Sequence, residues 1–199
     1  LPRGGVFTIH YLLYSAVLAL TAGLFEEGGR FLFFKLFMRR RESWDNAVAM
    51  GIGHGGIEAM MLVGMNIVSN LIILVMINTG TLTESVKAML GQAYYTLINT
   101  PSHMFLLGGV ERVFAMIAQI GMSVMVVYSI ASRKSRYFLL ALLCHFLLDF
   151  PLGIFVSLFG TWGTEAYVAL FAAAFLVWII RSKELFSPIA PPSESITVE

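Results

Sequence analysis

Seven polar side chains interrupt runs that are otherwise apolar: Glu26, Glu27 and Arg30 in EEGGR, His54 and Glu58 in MGIGHGGIE, and His145 and Asp149 in CHFLLD. Glu26 and Arg30, His54 and Glu58, and His145 and Asp149 are each four positions apart, so on a helix each pair shares one face. Two carboxylates with a fixed cation, two imidazoles and an aspartate form a set suited to general acid–base chemistry. One glutamate would activate a water while the other binds Arg30 and holds the first in place. The spacing leaves open which does which. His54 and His145 would donate hydrogen bonds to a developing oxyanion, with Asp149 orienting His145. Two histidines and a carboxylate with an open position also form a known ligand set for a catalytic divalent metal such as zinc. No HExxH helix is present, so a metal site would have to be assembled across helices, and the metal-free arrangement is preferred.

The elements that must position these residues follow from composition. Hydrophobic residues make up 58% of the 199 positions and charged residues 13%, with strongly positive mean hydropathy. Such a chain belongs in a bilayer rather than in water. The net charge of +1 offers no electrostatic footprint for nucleic acid, and Cys144 alone excludes an internal disulfide and a cysteine-based structural zinc site. Leu1 in place of an initiator methionine is the start expected of a piece of a longer chain, and no cleavable signal peptide is recognised in it.

Runs long enough to cross a bilayer extend approximately from His10 to Met38, Ala47 to Ile77, Gly108 to Ala131, Tyr137 to Phe159 and Thr164 to Ile180. The predicted fold is all-α: a polytopic transmembrane helical bundle of about five spans, because the runs are continuous rather than alternating. Between the second and third runs, Thr81 followed by Glu84 resembles a capping box, opening a short interfacial helix that Pro101 would stop. Residues 1–186 form the membrane domain, and the Pro- and Ser-rich stretch 187–199 is expected to be a disordered tail. Basic clusters follow the first span (Arg39, Arg40, Arg41), the third (Arg133, Lys134, Arg136) and the fifth (Arg181, Lys183), which assigns those ends and the C-terminus to the cytoplasm. The expected localisation is multi-pass in the cell membrane, a bacterial plasma membrane, with lipids as its surroundings.

Depth brings the polar residues together. At about 1.5 Å of rise per residue, Arg30 lies roughly 14 Å above Arg39, and Glu26 and Glu27 lie roughly 18 to 20 Å above it. His54 and Glu58 fall roughly 12 and 18 Å above Asn46, and His145 and Asp149 roughly 14 and 20 Å above Arg136. Gln119 on the descending third span falls in the same layer. A charge at this depth costs at least about 2.5 to 3.5 kcal/mol, so these faces should turn towards one another or towards a watery cavity. The glycines beside them, Gly28, Gly29, Gly51, Gly53, Gly55 and Gly56, would serve either helix packing or the approach of a substrate backbone. Glu111 and Arg112 read as residues of the first turn of the third span, placed there by the helix dipole.

The order EExxR, a glycine-flanked histidine in MGIGHGGIE and CHFLLD resembles the CPBP (CAAX protease and bacteriocin-processing) superfamily, and most closely the membrane peptidases of the YhfC family. The resemblance spans Glu26 to Asp149 and implies an α-helical intramembrane protease in which the paired glutamates activate water and His54 and His145 assist. Asp149 stands where relatives often have Asn. Many superfamily members have three residues between the second Glu and the Arg, whereas Gly28 and Gly29 alone intervene here. The function expected is therefore an intramembrane endopeptidase, glutamic in type, acting on a membrane-embedded or membrane-proximal peptide. A metal-dependent form of the same protease, a proton-coupled transporter and a scaffold whose ion pairs only set helix register are the competing readings.

Overall fold

The computed structural model describes residues 8–187, all of them in helices and short connections. Helix α1 spans Ile9–Leu36, capped by the Thr8 hydroxyl, which accepts from the Tyr11 amide. Helix α2, Trp44–Ala59, is capped by Ser43, and runs through one π-helical turn at Met60–Gly64 into α3, Met65–Asn78. Two short helices follow, α4 at Glu84–Leu90 and α5 at Gln92–Asn99, before α6, Ser102–Ala131. The chain closes with α7, Arg136–Asp149, and α8, Leu152–Phe186, the latter non-helical at Gly160. The tail expected beyond residue 187 lies outside the described residues.

Among the described residues four helices are long and apolar enough to cross a membrane: α1, the continuous α2–α3 rod, α6 and α8. The fourth span of the sequence reading, Tyr137 to Phe159, is divided between two helices. Helix α7 has 14 residues and ends at Asp149, and Pro151, which lacks an amide hydrogen, interrupts the helix there. The chain nonetheless continues alongside α1, since Gly153 meets the Tyr11 hydroxyl while Asp149 and Gly153 share a small cavity with Ser15 and Ala19. Reversal falls at Gly160, whose φ of 67° suits glycine. Beyond it Tyr167 comes back to stack on Phe155, with ring centroids 4.4 Å apart, and its hydroxyl donates to the Leu147 carbonyl.

Helix α6 is the axis of the bundle and packs against α1, α2, α7 and α8. It is buried almost continuously from Ala118 to Ser129, whereas α3 has no buried residue and presents Val68, Leu71, Ile72 and Val75 outward, the surface expected against lipid. Close approach of α2 to α6 depends on glycine. A Cβ on Gly51 would meet the Ile120 backbone, and one on Gly55 would lie 3.2 Å from the Gln119 Cβ, so these two serve helix packing. Gly28, Gly29, Gly53 and Gly56 face no neighbour within 4 Å.

Two boundaries differ from the sequence reading. The cap of α4 is Thr83, whose hydroxyl accepts from the Val86 amide at 3.3 Å; Thr81 instead bonds Thr79 and the Met76 carbonyl. The third span begins at Ser102, not Gly108, because Pro101 starts α6 as well as stopping α5. Glu111 and Arg112 thus lie well inside α6 and cannot be first-turn residues placed by its dipole.

Candidate active site

All seven residues singled out from the sequence meet in one layer, contributed by α1, α2 and α7. The two adjacent glutamates differ sharply. Glu27 is fully buried and receives Arg30 Nη1 at 2.5 Å; Glu26 keeps 30% of its side chain accessible and faces α2. Arg30, itself 1% exposed, bridges the pair, its Nη2 lying 3.2 Å from Glu26 Oε2. With two residues rather than three between Glu27 and Arg30, the guanidinium reaches both carboxylates, one a helical turn away at i+4 and the other at i+3. Glu27 is the more deeply buried of the two and makes the shorter contact with Arg30.

Each histidine sits against one of them. His54 Nε2 lies 3.0 Å from Glu26 Oε2. His145, 3% exposed, places Nδ1 2.9 Å from Glu27 Oε1, and turns Nε2 towards Asp149 Oδ2 at 3.3 Å and Glu26 Oε1 at 3.9 Å. The His145 ring packs beside Gly23, where a Cβ would stand 3.5 Å from it. Glu58, one turn beyond His54 on α2, completes a group with Glu26 and His54 in which one ligand-type atom from each residue lies within 4.8 Å of the others. Two carboxylates and an imidazole, all partly buried, are donors that suit a divalent cation.

Helix α6 supplies what sequence reasoning did not assign to the site. The Gln119 amide joins three elements: Oε1 accepts from Arg30 Nη2, while Nε2 donates to Glu58 Oε2 at 2.6 Å and to Glu26 Oε2 at 3.2 Å. Its depth placed it in the layer, but its connecting role shows only once α2 and α6 are packed together. Arg112 stands 3.6 Å from Glu58 Oε1 and pairs with Glu111. Its signal was lost because α6 was begun six residues late. Three donors thus converge on Glu26 Oε2, whereas Glu26 Oε1 accepts no hydrogen bond among the described residues. Cys144, next in sequence to His145, packs instead against the apolar core.

A polar layer of this kind, with one carboxylate anchored by a buried arginine and a second turned towards two histidines, is suited to activating water against a carbonyl group. Comparison with known proteins agrees in kind. No solved structure matches the chain. The uncharacterized membrane protein YhfC of Bacillus subtilis (strain 168) is 35% identical over 184 residues, an alignment covering 89% of this chain and 71% of that protein. The model of the YhfC intramembrane metalloprotease family matches residues 5–172, a range that takes in every residue of the layer. The chain belongs to the YhfC intramembrane metalloprotease family.

Proposed function

We propose that the polar layer hydrolyses a peptide bond in or beside the membrane, with Glu26, His54 and Glu58 holding a divalent cation. The observation that carries this reading is the convergence of those three side chains, from two helices, within 4.8 Å at mid-depth of the bundle. It reverses the preference for metal-free chemistry drawn from the motifs, and the family's description as metalloproteases supports the reversal. When bound, such a cation supplies Lewis acidity towards a carbonyl oxygen and acidifies a water.

The protein's own residues do the rest. Glu27 and Arg30 act as a fixed, mutually neutralising pair that holds Glu26 in place. Gln119 restrains Glu26 and Glu58 together, and Arg112 restrains Glu58 from the other side. Asp149, 38% accessible, takes up the proton that the attacking water loses as its oxygen bonds to the carbonyl carbon. His145 Nε2, beside it, delivers a proton to the amine nitrogen as the C–N bond breaks, while its Nδ1 stays tied to Glu27. Cleavage of a membrane-embedded or membrane-proximal peptide is the activity proposed, with the basic end of the bundle towards the cytoplasm.

One observation favours a second, metal-free reading. Glu26 Oε2 already receives Arg30, His54 and Gln119, which leaves Oε1 as a carboxylate oxygen able to take a proton from water directly. Metal analysis of the detergent-purified protein, with peptide cleavage followed before and after chelation, separates the two. Stoichiometric metal and chelator-sensitive cleavage are expected; full cleavage by metal-free protein would overturn the metal assignment, full cleavage by both Glu26→Gln and Glu27→Gln would overturn the assignment of hydrolysis to this layer, and no cleavage by the metal-loaded wild type would overturn the protease reading itself.

A further inference from the structure

A second polar feature lies at the opposite level of the bundle from the outer loops. A cavity of about 1600 Å³ opens at the basic end, between the α1–α2 connection and the α6–α7 turn. Lys35, Arg39, Arg40, Arg41 and Arg133 line it, against one carboxylate, Glu42. Among the described residues none of these four arginines has an ion pair, and Lys35 contacts only the Phe31 ring, 5.4 Å from its centroid. The inner wall is apolar, with Phe31 and Phe138 in contact at 5.1 Å between ring centroids.

The positive-inside tendency accounts for cations in these two connections, but not for their backbone. Among the described residues two non-glycine residues have positive φ, Arg40 at 65° and Arg133 at 57°, and both line this cavity. Arg40 is the third residue of a turn closed from the Arg41 amide to the Met38 carbonyl. Arg133 follows the end of α6, where the Lys134 amide returns to the Ser129 carbonyl at 3.0 Å. Glycine or asparagine is the ordinary occupant of both positions. Arginine is instead held in a strained conformation twice, from segments some ninety residues apart, around one space. Converging, unpaired guanidinium groups above an aromatic floor, at the end of a lipid-exposed bundle, match an anionic phosphate attached to hydrocarbon.

We propose that this cavity binds the phosphate headgroup of an anionic phospholipid. Leu36 and Phe37, which lie in sequence between the lining residues Lys35 and Arg39 and are 65% and 75% accessible, offer a path for the acyl chains into the bilayer. The site is separate from the hydrolytic layer, and its test does not depend on peptide cleavage.

Native mass spectrometry of the full chain released from neutral detergent, titrated with phosphatidylglycerol or phosphatidylcholine, reads the site directly. The wild type should retain phosphatidylglycerol on the order of tenfold more strongly than phosphatidylcholine. Arg40→Gly combined with Arg133→Gly should remove that preference while relaxing the backbone, since glycine adopts both conformations freely. Arg181→Gln, which removes a cation outside the cavity, should leave it unchanged. Equal retention of the two lipids by the wild type, or undiminished preference in the double glycine variant, would overturn the proposal. So would inorganic phosphate protecting the protein against thermal unfolding as strongly as the lipid, which points to free phosphate. Displacement of the lipid by a short acidic peptide at lower concentration than by phosphate would assign the cavity to a polypeptide instead.

Discussion

Replacing Arg30 by methionine removes the cation that makes two adjacent carboxylates tolerable at mid-membrane. Arg30 is 1% exposed and its closest charged partner, Glu27, is fully buried, their nearest atoms 2.5 Å apart. Removing one partner of a buried ion pair costs about 3–5 kcal/mol, because the other charge is left uncompensated. Glu26, 30% accessible and 3.2 Å away, adds little to that figure, since water screens it. Ordinary interhelical polar contacts in membranes average about 0.6 kcal/mol, so a loss of several kcal/mol distinguishes an unpaired charge from a hydrogen bond merely broken. Glu27→Gln combined with Arg30→Met removes both charges and keeps an amide oxygen facing His145 Nδ1. That double variant should recover to within about 1–2 kcal/mol of the wild type, the cost of the remaining neutral hydrogen bonds. Equilibrium unfolding in mixed micelles, followed by tryptophan fluorescence, measures all four corners of the cycle. If Arg30→Met lies within about 1 kcal/mol of the wild type, or the double variant is no more stable than the single one, the account of Glu27 as a buried, charge-paired anchor is wrong.

Chelation should lower the thermal midpoint of the wild type and leave that of His54→Ala unmoved, because the ligand-dependent part of stability is absent once a ligand residue is gone; equal shifts in a thermal-denaturation assay would remove His54 from the metal set. Gly51→Ala should destabilise by about 1–3 kcal/mol, its Cβ forced against the Ile120 backbone, whereas Gly53→Ala, with nothing within 4 Å, should be neutral or gain about 0.5–1 kcal/mol of helix propensity in the same unfolding assay. Asp149→Asn should reduce kcat for a cleaved peptide by about 10²-fold with little change in KM or stability, since Asp149 is partly exposed and its ion pair among the described residues is with His145; an unchanged kcat would remove it from proton transfer.

The membrane bundle and the depth of each polar residue were legible because both rest on one-dimensional quantities: the length of an apolar run and the rise of a helix. Glu26, His54, Glu58, His145 and Asp149 could be set in one plane from their distances to Arg39, Asn46 and Arg136, and they occupy one layer. Rotation about the helix axes was not available in the same way. That Arg30 reaches both glutamates, while burial separates Glu27 from Glu26, depends on which side of α1 meets α6 and α7. The misplaced cap at Thr81 and the late start of α6 have a common origin. Short polar stretches between spans offer several equivalent hydroxyls and a proline that stops one helix and starts the next, so local chemistry alone does not choose among them.

Gln119 shows why a layer recognised by depth is still short of a site. Its side chain carries no charge and belongs to no motif, yet it contacts Arg30, Glu26 and Glu58 at once. The reach of a side-chain amide is only a few ångströms, so it can join α1 and α2 only if α2 lies hard against α6. Gly51 and Gly55 meet that condition, four residues apart on the face of α2 that touches Ile120 and Gln119. The glycines beside His54 therefore divide by function: one pair draws the backbone of α2 onto α6, and the other, Gly53 and Gly56, leaves open space on the helix that carries His54. Packing two glycines deep brings an uncharged amide between two carboxylates, where it donates to Glu26 and Glu58 at once beside His54.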